Sequence, residues 1–419
     1  MDKKIHSALL EGYSEPIRDA LWGHIYLTQG LAALTSCPPF MRLHRIMQLG
    51  PTMRVYPGAT HTRASHSIGV YHLARRLLIH LAEEGADAWL SPVGVKSFLC
   101  AALLHDLGHF PYTHSLKELP LLQHEVLTGE LITSDPVKSL VAGAGGDPYF
   151  AAAIVNQQCG GENLGKELLF YRKLLSGSLD PDKLDYLSRD ARYCGVPYGV
   201  QDVDFILSRL HPHPERGVDI DSRGISGVES LLFSKYLMYR AVYWHRSVRA
   251  ATAMVKKALL GGLKSGLISA DELYHLDDQE LFTVSQRLPP PLYALVSSVR
   301  NGRLFSAFAE IPFDEKTHGK LLDLDERSRV EKSLAAEISV KEDAFIIDLP
   351  EPISFESGLF VNDENCFFPD STSAFKSDLI GVFVNSLRII RVFVNPAVEK
   401  DLLSCRESIL HISKKWLKL

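Results

Sequence analysis

Apolar residues recur at helical spacing through most of the first 265 positions and give way to a mixed pattern beyond them. Over residues 13–34, short alternations such as Gly23-His24-Ile25-Tyr26-Leu27 predict a strand or hairpin leading into a helix, with His24 structural. Residues 38–49 place Phe40, Leu43 and Met47 on one helical face, with Arg42 and Arg45 on others. A turn cluster from Pro57 precedes a helix that opens near Ser65 and runs to Leu81 on Ile68, Val70, Leu73, Leu77 and Leu81. His72 and His80 fall elsewhere on it, as surface or interface positions. Residues 229–260 predict one long amphipathic helix carrying Lys235, Tyr239, Arg240, Tyr243, His245 and Arg246. Beyond residue 265 the pattern predicts two short helices over 271–299 split by Pro289-Pro290-Pro291, a helix over 327–338, strands over 344–349 and 389–394, and an amphipathic helix over 396–417. The expected fold is therefore mainly α, with a helical core over residues 1–265 and a smaller α+β C-terminal lobe over 266–419. No internal repeat is visible.

Composition narrows the class. The 419 residues are 46% hydrophobic and 23% charged, as in an ordinary soluble globular protein. A net charge of −5 argues against a general nucleic-acid or membrane-surface binder, while leaving room for a local basic pocket. The cysteines at 37, 100, 159, 194, 366 and 405 form no CxxC pair and read as reduced thiols. The N-terminal residues lack the continuous apolar core of a secretory signal, and no stretch is long enough to span a bilayer, so a cytoplasmic location is expected. The glycine runs at 142–146 and 159–161 lack a P-loop ending and read as loops.

Candidate chemistry concentrates in residues 101–114, AALLHDLGHFPYTH. His109 follows His105 by about one helical turn, which puts two imidazoles on one face beside Asp106. Gly108 removes a side chain where substrate or metal would approach, and Pro111 stops the helix. A lone His-Asp pair is more often a satisfied core pair than a metal site. Three features raise the metal reading: His61-Thr62-Arg63-Ala64-Ser65-His66 upstream, Asp180-Pro181-Asp182-Lys183-Leu184-Asp185-Tyr186 downstream, and eight of seventeen histidines between 61 and 124. Asp182, Tyr186 and Asp190 share one helical face, and Asp185 and Arg189 form a structural pair on another. Lys235, Tyr239 and Tyr243 recur every four residues, which fits a solvated face or a nucleotide pocket equally.

The order His66, then His105-Asp106, then an aspartate in a DxDKxDYxxRD run resembles the HD superfamily of metal-dependent phosphohydrolases. More narrowly, it resembles the branch containing the sterile-alpha-motif/HD deoxynucleoside triphosphate triphosphohydrolases and their bacterial relatives. The stretches PFMRLHRIMQLG and VYPGATHTR are similar to that branch as well, and the match covers roughly residues 15–260. The resemblance implies one divalent metal ion on His66, His105, Asp106 and Asp182, leaving two positions for water and a phosphate oxygen. Mixed nitrogen and oxygen ligation suits iron, manganese, nickel, cobalt or zinc, with magnesium accompanying the nucleotide phosphates.

It further implies that Gln48 and Leu49, at the end of their helix, and Asp190 face the sugar, that Arg63 supports the phosphate or the metal site, and that Lys183 and Tyr186 contact phosphate. Lys235, Tyr239 and Tyr243 would meet phosphate, sugar and base. Asp106 would orient water, and His109, His114 or His124 would protonate the departing oxygen. The chain departs from the pattern in three places: Ala64 and Ser65 replace an aromatic and an acid, Lys117 stands where the relay carries an acid, with Glu118 next to it, and Trp244 stands where a glutamine is expected. The implied activity is cleavage of a deoxynucleoside triphosphate into deoxynucleoside and triphosphate. The alternatives are hydrolysis of another phosphoester, such as a nucleoside monophosphate, and a nucleotide-binding regulator with little turnover. The implied partners are a nucleotide and further copies of the chain, as a dimer or tetramer, with no nucleic acid or membrane.

Overall fold

The computed structural model describes residues 1–159 and 165–398. Gly160 and Gly161 of the second glycine run, and the terminal helix expected over 396–417 apart from its first three positions, lie outside the described residues. The fold is a helical core with small sheets gathered mostly in the C-terminal region.

The expected hairpin is present as β1 (Glu15–Asp19) and β2 (Gly23–Leu27), antiparallel with Ile17 opposite Ile25. The helix expected over 38–49 is shorter: α1 spans Pro38–Leu43, after which the chain turns and Met47 forms a bridge with Thr62. Gln48 and Leu49 therefore stand on a turn, not on a helix end.

The central helix α2 (Arg63–Glu83) starts where Thr62 accepts a hydrogen bond from the Ser65 amide, and it is buried on most of its circumference, as a helix at the middle of a core must be. Its two remaining histidines are not simple surface residues. His72 lies half-buried against Trp22, with ring centroids 6.4 Å apart, and His80 Nε2 meets the Leu210 carbonyl at 2.9 Å. Helix α3 (Pro92–Leu104) opens on Ser91, which accepts from the Gly94 amide, with Pro92 at the first helical position. After α4 (His124–Ile132), helix α5 (Pro181–Cys194) repeats that start with Asp180 and Pro181 and stops at Gly195, which adopts φ +68°. Helices α2 and α5 approach closely at Gly69, where a Cβ would sit 2.0 Å from Asp185 Oδ1.

The single helix expected over 229–260 is two helices. Helix α6 (Ile225–Met238) passes into a wide turn at Tyr239–Tyr243, closed by the Trp244 amide on the Tyr239 carbonyl at 2.9 Å, and α7 (Arg246–Lys264) begins anew. The extra residue in that turn re-aims Tyr239 and Tyr243. Over 271–299 there are three helices rather than two, because Asp277 and Glu280 form a reciprocal cap that ends Ala270–Tyr274 and opens Asp278–Ser285 ahead of Pro290–Arg300.

Strands β3 (Leu210–His213) and β4 (Gly217–Ile220) form a hairpin that joins β7 (Phe360–Val361) and β8 (Cys366–Phe367) in a four-stranded sheet. Strands β5 (Ser306–Pro312), β6 (Phe345–Asp348) and β9 (Ile389–Val394) form a three-stranded antiparallel sheet in the order β5-β9-β6, packed on the helix Leu324–Ile338. Of the strands in these two sheets, β6 and β9 follow from the hydrophobic pattern. The parallel pairing of Asp219 in β4 with Phe360 in β7 brings the chain back from the three-stranded sheet to the helical core. The connection between β6 and β7 contributes Glu351, Pro352 and Ile353 to the lining of the cavity described next. No helix among the described residues is long and apolar enough to cross a membrane.

Candidate metal centre

Helix α3 ends at Leu104, and the chain turns through residues 105–108, with the Leu107 amide on the Leu104 carbonyl at 2.9 Å and the His109 amide on the Asp106 carbonyl at 3.0 Å. The expectation that His105 and His109 share a helical face fails for this reason: the helix stops one residue before His105. His105 stays at the helix end, and His109 turns towards His114 and His124.

His105 Nδ1 lies 3.0 Å from the Ala102 carbonyl, which makes Nδ1 the protonated nitrogen and leaves the Nε2 lone pair facing the site. That Nε2 is buried and has no hydrogen-bond partner. His66, in the first turn of α2, donates from Nδ1 to Asp185 Oδ2 at 2.8 Å, and its Nε2 lies 3.0 Å from Asp182 Oδ1. Asp106 Oδ1 stands 3.3 Å from His105 Nε2, and Asp106 Oδ2 stands 3.9 Å from His66 Nε2. Ligand atoms of His66, His105 and Asp182 all fall within 4.8 Å of one another. Two oriented imidazoles, one with an orphaned buried nitrogen, and two carboxylates are a donor set that fits a divalent cation.

Electrostatics agree with that fit. Burial opposes the charged form of His66, but its hydrogen bonds to Asp182 and Asp185 outweigh burial and raise its pKa to about 10 in the metal-free protein. Burial would raise the Asp182 carboxyl, yet His66 and His105 hold it well below its ordinary value. Asp106 is likewise held low against burial by His109, His105 and Arg63, whose Nη1 donates to Asp106 Oδ2 at 2.7 Å. Arg63 is thus buried support for the aspartate and not a solvated charge.

His109 Nε2 and His114 Nε2 lie 3.1 Å apart, and the ring centroids of His109 and His124 are 3.8 Å apart. Burial pushes both His109 and His114 well below their ordinary pKa, with Arg63 adding to the effect. His109 Nδ1 lies 3.1 Å from Asp106 Oδ1, so the imidazole cluster abuts the candidate metal-centre aspartate. Asp106, His109 and His124 also lie within 4.8 Å of one another. Lys117 and Glu118 both line the cavity, and Glu118 is paired there with Lys256 and Arg327. The carboxylate that meets this cluster is Glu125, with Oε2 2.9 Å from His124 Nδ1. Gly108 does not clear space for substrate as expected: a Cβ there would lie 2.3 Å from the His124 carbonyl, so the glycine admits the start of α4.

The cavity has a volume of about 480 Å³. The candidate metal-centre residues line it together with Gln48, Leu49, Tyr186, Asp190, Tyr239, Tyr243 and Trp244. Asp190 is fixed by His61 Nε2 at 2.8 Å and by the Tyr243 hydroxyl at 2.6 Å. Gln48 Oε1 is buried without a partner. Lys183 reaches the cavity, but Lys235 does not line it: only 6% exposed, Lys235 donates to the Ser354 carbonyl at 2.6 Å. Sequence reasoning missed the orienting roles of Asp185 and His61, although a carboxylate three residues after a ligand was a signal for the first. It had no signal for residues 351–356 at the cavity mouth.

A helical bundle brings two histidines and two aspartates from the start of α2, the end of α3 and the start of α5 to one cavity, a donor set that could hold a metal ion. The chain belongs to the HD domain family. The HD domain matches residues 63–156, and the HD associated region matches residues 202–415. Among curated proteins, YwfO of Bacillus subtilis is 36% identical over 222 residues, 52% of this chain and 49% of that protein. MJ1154 of Methanocaldococcus jannaschii is 33% identical over 266 residues, 62% and 53% of the two chains. The deoxynucleoside triphosphate triphosphohydrolase SAMHD1 of Homo sapiens is 27% identical over 308 residues, 64% and 48%. The chain spans about half the length of the curated relatives it matches. The phosphohydrolase BT4208 of Bacteroides thetaiotaomicron shares the fold, with a TM-score of 0.71 and 22% identity over 90% of this chain and 99% of that one.

Proposed function

We propose that the protein is a metal-dependent phosphohydrolase that cleaves deoxynucleoside triphosphates into deoxynucleoside and triphosphate. The observation that carries this reading is the convergence of His66, His105, Asp106 and Asp182 on one wall of a cavity whose other walls present Asp190 and the phenols of Tyr186, Tyr239 and Tyr243. The similarity to SAMHD1 supports it.

His66, His105, Asp106 and Asp182 would hold the cation, which supplies positive charge that neutralises phosphoryl oxygens and lowers the pKa of water. Asp106 holds one carboxylate oxygen against Arg63 and the other towards His105 and His109, so its direction is set before substrate arrives. His114 opens onto the cavity and touches the buried His109, and this pair moves a proton between the cavity and Asp106. His124, supported by Glu125, delivers a proton to the departing sugar oxygen. Asp190, held by His61 and Tyr243, keeps a carboxylate oriented for a sugar hydroxyl. Gln48 and Leu49 face the same sugar, and Tyr239 and Tyr243 pack against sugar and base. Lys183 and Tyr186 serve the phosphates, and Lys235 joins them only where the Ser354 carbonyl gives it up. A nucleotide is therefore the partner, and a dimer or tetramer is proposed from the resemblance, to be read by light scattering.

The engagement of Lys183 and Lys235 by residues 354–356 favours a second reading, hydrolysis of a nucleoside monophosphate at the metal end alone. Product analysis separates the two. Manganese-loaded protein incubated with a mixed deoxynucleotide pool is expected to release inorganic triphosphate and deoxynucleosides. Orthophosphate from monophosphates alone would establish the second reading, and tight nucleotide binding without product under any divalent metal would establish a regulator.

A further inference from the structure

Residues 350–357 lie in the link between β6 and β7 and form no helix or strand. Glu351, Pro352 and Ile353 line the cavity itself. The next three residues engage the two lysines. The Ser354 carbonyl accepts from Lys235 Nζ at 2.6 Å, the Phe355 ring lies 5.5 Å from that Nζ, and Glu356 Oε2 lies 2.7 Å from Lys183 Nζ.

An ammonium has three N–H donors. Those of Lys183 meet the Gly177 carbonyl at 2.9 Å, Asp180 Oδ2 at 2.6 Å and Glu356 Oε2 at 2.7 Å, so none is left for a ligand. The first two acceptors cannot leave readily. Asp180 is 2% exposed and caps α5, and Gly177 offers backbone. Glu356 can leave: its side chain is 44% exposed and it stands on irregular chain, tied at one end where Arg388 Nε donates to the Pro350 carbonyl at 2.9 Å and at the other by β7.

We propose that Glu356 occupies the subsite of the terminal phosphates and competes there with a polyphosphate tail, whereas a ligand whose phosphate stops at the metal centre leaves it in place. The inference rests on the phosphohydrolase reading and names the group that a polyphosphate tail has to displace. A polyphosphate offers several charged acceptors and can replace the Glu356 carboxylate and the Ser354 carbonyl together, gaining two charge-assisted contacts to lysine. A monophosphate at the metal centre leaves the Glu356–Lys183 pair standing. Glu356 is then a specificity-determining residue.

The test titrates manganese tripolyphosphate, and separately a deoxynucleoside monophosphate, into the manganese-loaded full chain by calorimetry. Glu356→Gln keeps the shape and removes the charge, and Glu351→Gln removes the same charge from the same segment without touching Lys183. Glu356→Gln is expected to bind tripolyphosphate about tenfold more tightly than the parent at low salt, the scale of a charged hydrogen bond removed from competition. Monophosphate affinity should change less than about twofold. Glu351→Gln should give a smaller gain, equal for both ligands. Thermal melting verifies folding, and Glu356→Asp, which keeps the charge with a shorter reach, should give part of the gain if the glutamine variant unfolds. Equal tripolyphosphate affinity in parent and Glu356→Gln overturns the proposal and leaves the triphosphate reading standing. So does an equal gain for both ligands, which would show net charge alone at work. Absence of tripolyphosphate binding in every protein overturns both.

Discussion

His66 donates to Asp185 at 2.8 Å, and the same carboxylate is gripped by Arg189, with Nε 2.8 Å from Oδ2 and Nη2 2.9 Å from Oδ1. A metal-type imidazole, a carboxylate and a fully buried guanidinium thus form one line between α2 and α5. The carboxylate fixes which ring nitrogen of His66 faces Asp182, and Arg189, itself paired with Asp19 at 2.8 Å, fixes the carboxylate. Asp185→Asn should lower affinity for a divalent metal by about 10–100-fold while leaving all four ligand side chains in place. Metal content after dialysis against a graded chelator reads this directly. Unchanged retention would show that Asp185 serves only Arg189.

Gly69 and Gly108 separate the metal centre from the imidazole cluster. A Cβ at Gly69 would meet Asp185 Oδ1 at 2.0 Å and Arg189 Nη2 at 2.4 Å, whereas one at Gly108 would meet the His124 carbonyl and the Thr128 amide at 2.3 and 2.6 Å. Gly69→Ala is therefore expected to lower both stability, by about 1–3 kcal/mol, and metal retention. Gly108→Ala should keep its metal and lose turnover, because it pushes α4 and His124 away from His109. The comparison requires only melting curves, metal analysis and initial rates. Loss of metal from Gly108→Ala would contradict the division.

The approach of the four candidate ligand residues was legible because each is placed by local rules. His66 and Asp182 follow helix caps at Thr62 and Asp180, and His105-Asp106 end an apolar run. The spacing of Asp182, Tyr186 and Asp190 was legible for the same reason. What failed depended on a single-residue event or on distant chain. His109 was misplaced because α3 stops at Leu104, well before Pro111, and the long helix was misread because one extra residue sits in the turn at Tyr239–Tyr243. Lys235 gives no sign in its own neighbourhood that Ser354, 119 positions later, covers it. Strands as short as β7 and β8 carry too few residues for a period, and their register exists only against β4.

The C-terminal strands are fastened to α7 by a buried ion pair. Arg249 Nε and Nη2 meet the two oxygens of Asp348 at 2.8 and 2.6 Å, and Lys256 stands 3.8 Å away while binding Glu118. Burial would raise the Asp348 carboxyl, but Arg249 and Lys256 hold it below its ordinary value. Asp348→Ala leaves Arg249 charged and unpaired in the interior and should cost about 3–5 kcal/mol, read from the denaturation midpoint. Replacing both partners, Arg249→Met with Asp348→Leu, should recover most of that loss, since a well-packed apolar pair avoids the desolvation penalty. If the double variant is no more stable than Asp348→Ala, the contribution lies in Lys256 and Glu118 instead.

His72 links stability to acid on the far side of α2 from the cavity. Burial lowers its pKa from 6.5 to about 4, Arg76 and Arg75 add to the effect, and Asp19 and Asp185 oppose it; Trp22 stacks on the ring. In the folded protein the ring is neutral down to about pH 4, whereas in the unfolded chain it takes a proton near pH 6.5. Between those values the unfolded state binds more protons, so stability falls as pH drops from 6.5 to 4 and this contribution levels off below. His72→Gln cannot take up that proton in either state. Its urea midpoint should therefore decline less steeply than the parent's across that window and run parallel to it above pH 7. Parallel curves throughout would mean that the ring is protonated in the folded protein, and that Asp19 and Asp185 outweigh its burial.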